Sequence, residues 1–270
     1  MLSAIRNSDS NKVFAAQESK TNRPFSCAMC NGEVILKKGP INIHHFAHKP
    51  PYDCSYGKGE SDEHHRCKLE IYESLIKQPN VTKCEIERNL QSVRPDISCY
   101  IGNIPVAIEV QISALGLDEI IYRTIEYKQK GIFVLWLLLF SDKLRGERYA
   151  PRIWEKWLHS TYFGRVYYWN KGLTVIPVHF DDHYLYVEEN TWFEPGGVER
   201  SEGGYYKLSK RYRTPKIGQA TNLVRDFKKL ERSPLVTANY TVPESNILFD
   251  TQPNWWKSKP QTQSNGWIKK

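Results

Sequence analysis

A run of nine consecutive apolar residues, Ile132 to Phe140, constrains the fold of this chain more than any other feature. A run without polar alternation is typical of a strand that is buried on both faces, as in sheets covered by helices. It is far shorter than the roughly 20 residues that cross a bilayer, and the N-terminus has no apolar signal core. The pattern therefore predicts an α/β domain without membrane insertion, and we expect a cytoplasmic protein.

The segments before this run predict which helices and strands precede the buried strand. Ser61 is a good N-cap for a first helix whose apolar stripe ends before Pro79. Two strand-like stretches then flank Gly102 and Asn103, a pair suited to a two-residue hairpin turn. A second helix over residues 117–130 leads into the apolar run, which should lie parallel to the strand before that helix. The predicted order is helix, hairpin, helix, buried strand.

The hairpin brings two carboxylates together. With Gly102 and Asn103 as the turn, Asp96 lies opposite Glu109, with Cβ atoms about 4.5–5.5 Å apart. Two adjacent carboxylates repel each other unless a cation lies between them or one is protonated, and oxygen ligands of this kind suit Mg²⁺ or Mn²⁺. The alternative is an ordinary solvent-facing strand. Alternation predicts one shared polar face for Arg94, Asp96, Ser98, Glu109, Gln111 and Ser113.

Residues 1–60 predict a small metal-binding module. Four soft ligands with C-x2-C-x14-H-x2-H spacing would satisfy tetrahedral zinc; they are Cys27, Cys30, His45 and His48. His44 or Cys54 could replace one of them, because both lie close in sequence. The stretch has too few apolar residues to fold by packing alone, so a structural zinc ion would supply the missing stability.

The end of the chain carries the positive charge. Residues 201–270 contain thirteen Lys and Arg against five Asp and Glu, which accounts for the whole net charge of +8. A basic surplus with interleaved tyrosines, here Tyr205, Tyr206 and Tyr212, is typical of nucleic-acid contact. A solvated tail is the alternative. After a short helix opened by Pro151, three strand-like runs separated at residues 171–172 and 181–182 predict a meander that extends the sheet or packs beside it.

Several motifs in a fixed order resemble a known family. RPDIS and AIEVQIS, followed by a helix and a buried strand and preceded by an acid on a helix, resemble the PD-(D/E)xK nuclease core. The series from C-x2-C through HHFAH, ESDEHHRCK, RPD and E-x-Q-x-S to YRTIEYKQKGIFVLWLL is similar to the competence-protein CoiA family, over about residues 20–140. The resemblance implies a restriction-endonuclease-like core with a mixed central sheet flanked by helices. We expect a zinc-finger-like module over residues 1–60 and the nuclease core over 61–150. Residues 151–270 are expected to form a β-rich C-terminal extension of unknown role, with a basic, partly disordered tail.

The resemblance also assigns roles to residues. It makes Asp96 and Glu109 ligands of a catalytic Mg²⁺ or Mn²⁺ ion, and Glu63 the outer acid on the first helix. The superfamily usually has a lysine two residues after the second acid, but this chain has Gln111, which can position a water and carries no charge. Lys68 is the first candidate for the missing cation, ahead of Arg123 and Lys128.

The function implied is that of a Mg²⁺-dependent deoxyribonuclease that hydrolyses DNA phosphodiester bonds in DNA uptake, recombination or defence. Its expected partners are DNA and proteins of uptake or recombination. The alternative, from a different class, is a catalytically inactive nuclease-fold protein that binds DNA and has lost turnover at Gln111. The presence of all three acids favours the enzyme.

Overall fold

The N-terminal residues form a small antiparallel sheet of their own. In the computed structural model, which describes residues 1–54, 60–112 and 116–257, five strands lie in the order β2-β1-β3-β4-β5. Their core is small and centres on Phe25, Val34 and Phe46. Ser113, placed on the polar hairpin face by the sequence, lies outside the described residues. The strands are β1 (Ser3–Arg6), β2 (Lys12–Phe14), β3 (Phe25–Ser26), β4 (Glu33–Lys37) and β5 (His45–His48).

The middle of the chain has the predicted helix, hairpin, helix, strand order, with one further strand before the hairpin. The Ser61 hydroxyl accepts a hydrogen bond from the His64 N–H at 3.2 Å, which caps the first helix as its sequence predicts. The elements are α1 (Asp62–Leu75), β6 (Val81–Ile86), β7 (Ile97–Ile101), β8 (Ile104–Gln111), α2 (Leu117–Gln129) and β9 (Phe133–Leu139).

The hairpin has the register that the turn residues predict. Ile97 pairs with Ile108 and Ile101 with Ile104, so the two strands turn at residues 102 and 103. Gly102 has a φ of +57°, a conformation that glycine adopts without steric cost. β9 then pairs with β8 in parallel, as expected for a strand reached through a crossover helix. These predictions are confirmed.

The C-terminal part extends the same sheet. The ten-stranded mixed sheet runs β14-β11-β10-β9-β8-β7-β6, with β15 attached to β11, and β19 attached to both β9 and β16. The elements are α3 (Ile153–Thr161), β10 (Val166–Lys171), β11 (Thr174–Val187), β12 (Asn190–Phe193), β13 (Glu199–Glu202), β14 (Tyr205–Ile217), β15 (Thr221–Asn222), β16 (Phe227–Arg232), β17 (Leu235–Val236), β18 (Thr241–Val242) and β19 (Ser245–Asp250).

One predicted break is absent. The sequence separates two strands at Asp181 and Asp182, but both residues lie within the continuous strand β11. They pair with Thr214 and Arg213 of β14, beside a register shift that accommodates the irregularity. The partner strand therefore overrides the local turn propensity of the two aspartates.

The helices and the sheet enclose one large core, and they also cover the polar face of the hairpin. Trp136 of β9 is fully buried, and its indole N–H donates to the Thr124 hydroxyl of α2 at 3.1 Å. Glu109 and Gln111 are buried as well, which argues against an ordinary solvent-facing strand. Among the helices of the described residues, none is long and apolar enough to cross a membrane.

Candidate active site and metal-ligating groups

Asp96 lies just before β7 and is held by three groups. Its Oδ2 atom accepts a hydrogen bond from the Val110 N–H at 2.8 Å and lies 3.2 Å from the His64 Nε2 atom. Its Oδ1 atom lies 3.3 Å from the Lys68 ammonium. Burial alone would raise the pKa of Asp96, but the attraction of Lys68 and His64 outweighs it and lowers the pKa to about 2. The carboxylate is therefore ionised at neutral pH.

Lys68 lies at the centre of a buried cluster of carboxylates. Its side chain is 0% exposed and donates to Glu60 at 2.7 Å and to Glu87 at 2.9 Å, in addition to its contact with Asp96. Burial would lower the pKa of this lysine, but the three carboxylates raise it well above its ordinary range. Lys68, the first candidate for the missing cation, is therefore positively charged and lies beside Asp96.

Glu60, which directly precedes the N-cap residue Ser61 of α1, lies close to Asp96. Ligand atoms of Glu60, His64 and Asp96 all lie within 4.8 Å of one another, so the three could hold a metal ion. Glu63, the outer acid expected from the family pattern, is exposed on the first turn of α1 and is not in this group. The role of Glu63 as outer acid therefore stays a prediction, and Glu60, three residues earlier along the chain, is a second candidate.

Glu109 has a different set of partners from Asp96. It is 1% exposed, and its carboxylate accepts hydrogen bonds from the Arg123 guanidinium and the Tyr127 hydroxyl of α2. Burial raises the pKa of Glu109 to about 7, assisted by the negative charge of Asp96 and opposed by Arg123. This carboxylate therefore titrates near neutral pH. Lys128, the last of the three candidate cations, pairs with Glu244 instead.

Glu87 connects the site to the N-terminal sheet. Its carboxylate accepts hydrogen bonds from the backbone N–H groups of Leu2 and Ser3 at 3.0 and 3.1 Å, and from Lys68. Sequence reasoning missed Glu87 because it follows β6 in a loop with no recognisable motif. It also missed Glu60, although the ESDEHH segment contains Glu60 as well as Glu63.

A separate group in the N-terminal sheet has the chemistry of a metal site. Ligand atoms of Cys27, Cys30, His48 and Cys54 all lie within 4.8 Å of one another. Burial lowers the pKa of His48, which keeps its imidazole in the neutral, ligating form. Three sulfurs and one imidazole nitrogen form a Cys3His set, which could hold a metal ion.

His45 is not part of that set, and Cys54, the replacement that the spacing left open, takes its place. His45 and His48 are the two ends of β5, three positions apart. Side chains at an odd separation on a strand point to opposite faces, so both histidines cannot face the same pair of cysteines. His44, the other replacement that was considered, is also absent from the group.

Family models match the two N-terminal parts of the chain. Residues 8–57 match the competence protein CoiA, N-terminal domain, and residues 60–155 match the competence protein CoiA, nuclease-like domain. The two matches together cover more than half of the chain. The chain belongs to the CoiA-like family. The family resemblance expected from the motifs is confirmed.

A curated relative agrees with this assignment. The protein named Competence protein CoiA of Bacillus subtilis (strain 168) is 32% identical over 132 residues, which are 48% of this chain and 35% of that protein. The matched region thus spans about a third of the relative's length. No solved structure matches the chain.

The CoiA-like matches coincide with the two ligand groups. The nuclease-like match begins at Glu60 and includes Lys68, Glu87, Asp96 and Glu109. The N-terminal match includes all four residues of the Cys3His group. The strands from β10 to β19 lie beyond both matches.

Proposed function

We propose that this CoiA-like chain is a metal-dependent nuclease that hydrolyses phosphodiester bonds of DNA. One observation carries the proposal: Glu60, His64 and Asp96 converge at the open end of a hairpin that also carries Glu109, inside the part of the chain that matches a nuclease-like domain. The order of α1, three antiparallel strands, α2 and the parallel strand β9 agrees with a PD-(D/E)xK core.

The donor set fits a divalent metal ion. Two carboxylates and one imidazole offer oxygen and nitrogen ligands, and we propose that they bind Mg²⁺ or Mn²⁺, with Glu109 as a further ligand. A metal ion at this place would polarise the phosphate and lower the pKa of a bound water. The nitrogen of His64 makes Mn²⁺ the better fit of the two.

Two other residues supply the positive charge that Gln111 lacks. A glutamine in place of the usual lysine brings no charge, but the ammonium of Lys68 lies 3.3 Å from Asp96 and the guanidinium of Arg123 contacts Glu109. Both cations can offset the negative charge of the carboxylates that would hold the metal ion.

The edge of the sheet supports contact with DNA. β14 carries five basic residues and no acid, and two of its aromatic side chains are exposed. Arg148 and Arg211 both lie over the Tyr212 ring, at 4.7 and 5.2 Å from its centroid. Basic groups that bind phosphates, next to rings on which bases can stack, are typical of single-stranded nucleic-acid binding. We therefore propose DNA as the substrate, with uptake or recombination proteins as partners, and zinc as the metal of the Cys3His group.

The test is cleavage of single- and double-stranded DNA, linear and circular, with Mg²⁺ or Mn²⁺ and with an EDTA control. We expect Asp96→Asn and Glu60→Gln to abolish cutting. Two matched variants should cut normally: Glu63→Gln, on the exposed first turn of the same helix, and Asp142→Asn, whose side chain is 97% exposed.

The outcomes separate the proposals. Loss of cutting in Glu63→Gln but not in Glu60→Gln would identify Glu63, as in the family pattern, as the outer acid and would contradict the role proposed for Glu60. DNA binding without cutting, with either metal, would contradict the nuclease and support a non-catalytic DNA-binding protein.

A further inference from the structure

A second group of metal-ligating side chains joins the N-terminal sheet to α1. His45 belongs to β5, whereas Asp62 and His65 lie on the first turns of α1. One ligand atom from each of these three residues lies within 4.8 Å of the other two. The group shares no residue with the Cys3His set or with the group around Asp96.

His65 presents an unused nitrogen. Its Nε2 atom lies 2.9 Å from the Glu60 carboxylate and 3.3 Å from the N-terminal ammonium of Met1, which itself pairs with Glu60 at 2.9 Å. Because the carboxylate is the nearer group and only accepts, we assign the hydrogen to this nitrogen. The Nδ1 atom then holds the lone pair. His65 is 2% exposed, and its Nδ1 atom has no hydrogen-bond partner among the described residues. A buried nitrogen without a hydrogen-bond partner destabilises the folded state, and a ligand bound to its lone pair would remove this cost.

His45 is oriented in a complementary way. Its Nδ1 atom lies 2.8 Å from the carbonyl oxygen of Ile43, which accepts only, so Nδ1 carries the hydrogen and Nε2 holds the lone pair. The two imidazole rings are stacked, with centroids 5.3 Å apart and an angle of 23° between their planes. Each histidine therefore has one nitrogen fixed by an acceptor and the other available for binding.

This pattern is that of histidines prepared for a metal. Metal-ligating histidines almost always donate their second N–H to a carboxylate or a backbone carbonyl, which fixes the tautomer and the ring orientation. His65 has the carboxylate and His45 has the carbonyl.

We propose that His45, Asp62 and His65 bind a divalent transition-metal ion, with zinc as the first choice. Two imidazoles and one carboxylate leave room for water as a fourth ligand. Because Zn–N bonds measure about 2.1 Å, the three side chains would move closer together on binding. The ion would fasten β5 of the N-terminal sheet to α1.

The site is also linked to the group around Asp96. Glu60 accepts a hydrogen bond from His65 at 2.9 Å and from Lys68 at 2.7 Å. A metal ion on His65 would fix that ring and, through it, the position of Glu60. The proposal does not depend on nuclease activity, because it concerns metal binding and the attachment of the two parts.

The first test is the metal content of the full-length protein after zinc loading in excess Mg²⁺, which occupies oxygen-rich sites. We expect His45→Gln and Asp62→Asn to lose one equivalent of zinc. His44→Gln is the matched control, because His44 is the neighbouring histidine outside the group, and it should retain the wild-type content. Full zinc content in His45→Gln would overturn the proposal.

Cobalt substitution distinguishes this ion from the one expected at the Cys3His group. Thiolate ligands give Co²⁺ an intense charge-transfer band in the near ultraviolet, whereas a site with only nitrogen and oxygen ligands does not. We expect His45→Gln to lose one equivalent of Co²⁺ and to keep the charge-transfer band. Loss of that band with the metal would assign His45 to the cysteine site and refute the separate site.

A third measurement needs no substitution. The ¹⁵N resonance of an unprotonated imidazole nitrogen shifts when the nitrogen binds a metal, so the His65 Nδ1 signal should move on titration with Zn²⁺. An unchanged His65 signal, in protein that takes up zinc elsewhere, would contradict the proposal even if the variants failed to fold.

Discussion

The replacement of Lys68 by methionine tests the buried charge cluster most directly. The methionine chain has nearly the same length, so the change removes the ammonium and keeps most of the packing. Three carboxylates then lose one of their cations: Glu87, whose side chain is 1% exposed, and the less buried Glu60 and Asp96. Removing one partner of a buried ion pair costs about 3–5 kcal/mol, because the remaining charge stays uncompensated. We expect a loss of that size in the free energy of unfolding at neutral pH.

The pH dependence of stability shows whether the unpaired carboxylates cause this loss. In the wild type the pKa of Glu87 is held low: burial raises it, but Lys68 more than offsets this. Its stabilising effect is present at neutral pH and is lost as the pH falls through that low pKa. Without Lys68 the buried carboxylates should have raised pKa values, so the variant should lose stability as the pH rises through those values. The difference from wild type should therefore shrink in acid.

The assay is urea unfolding followed by circular dichroism, at neutral pH and at about pH 5. Arg66→Met is the matched control, because Arg66 is an exposed cation on the same helix, and surface changes usually alter stability by less than about 0.5 kcal/mol. Adding Glu87→Gln to the Lys68→Met variant should recover part of the loss. A loss in Lys68→Met no larger than in Arg66→Met would refute the reasoning.

Three further predictions follow from other parts of the molecule. Cys54→Ser should lose one equivalent of zinc and the cobalt charge-transfer band, whereas Cys84→Ser should keep both; equal zinc content in the two would exclude Cys54 as a ligand. Burial, together with a neighbouring histidine, lowers the pKa of His159 to about 3. The free energy of unfolding is therefore unaffected by this group above pH 6.5, and it falls by at most about 5 kcal/mol as the pH is lowered towards pH 3. His159→Gln should therefore lose less stability than wild type between pH 7 and about pH 4 in urea unfolding, and equal losses would contradict this. Tyr206→Ala should weaken binding of single-stranded DNA by about 1–3 kcal/mol in fluorescence anisotropy, while Tyr122→Ala, an exposed tyrosine on α2, should not; equal effects would exclude specific stacking on β14.

The elements of the nuclease-like part could be predicted because local rules determine them. Ser61 caps α1, the pair Gly102 and Asn103 forms the hairpin turn, and the apolar run becomes the buried strand β9. Turn chemistry, capping and the period of the apolar pattern each act over a few residues. They fix the hairpin register, and with it the neighbourhood of Asp96 and Glu109.

The ligand sets could be predicted only in part. The sequence predicted Cys27, Cys30, His45 and His48, with His44 or Cys54 as a replacement for one of them. The structure groups Cys54, and not His45, with the other three. The exclusion of His45 was within reach of the sequence once β5 was recognised as a strand, because residues three apart on a strand face opposite ways. Without the strand, spacing could not separate the candidates.

The sequence by itself therefore determined the α/β class, the order of the central elements, the hairpin register and the presence of acids beside a metal-ligating pattern. The tertiary structure alone decided which side chains meet: Glu60 rather than Glu63 reaches Asp96, and Lys68 becomes buried among carboxylates from three segments. The physical reason is distance along the chain. Turns and caps are set by neighbouring residues, whereas Glu60, Glu87 and Asp96 come together only when α1, β6 and the hairpin pack against one another.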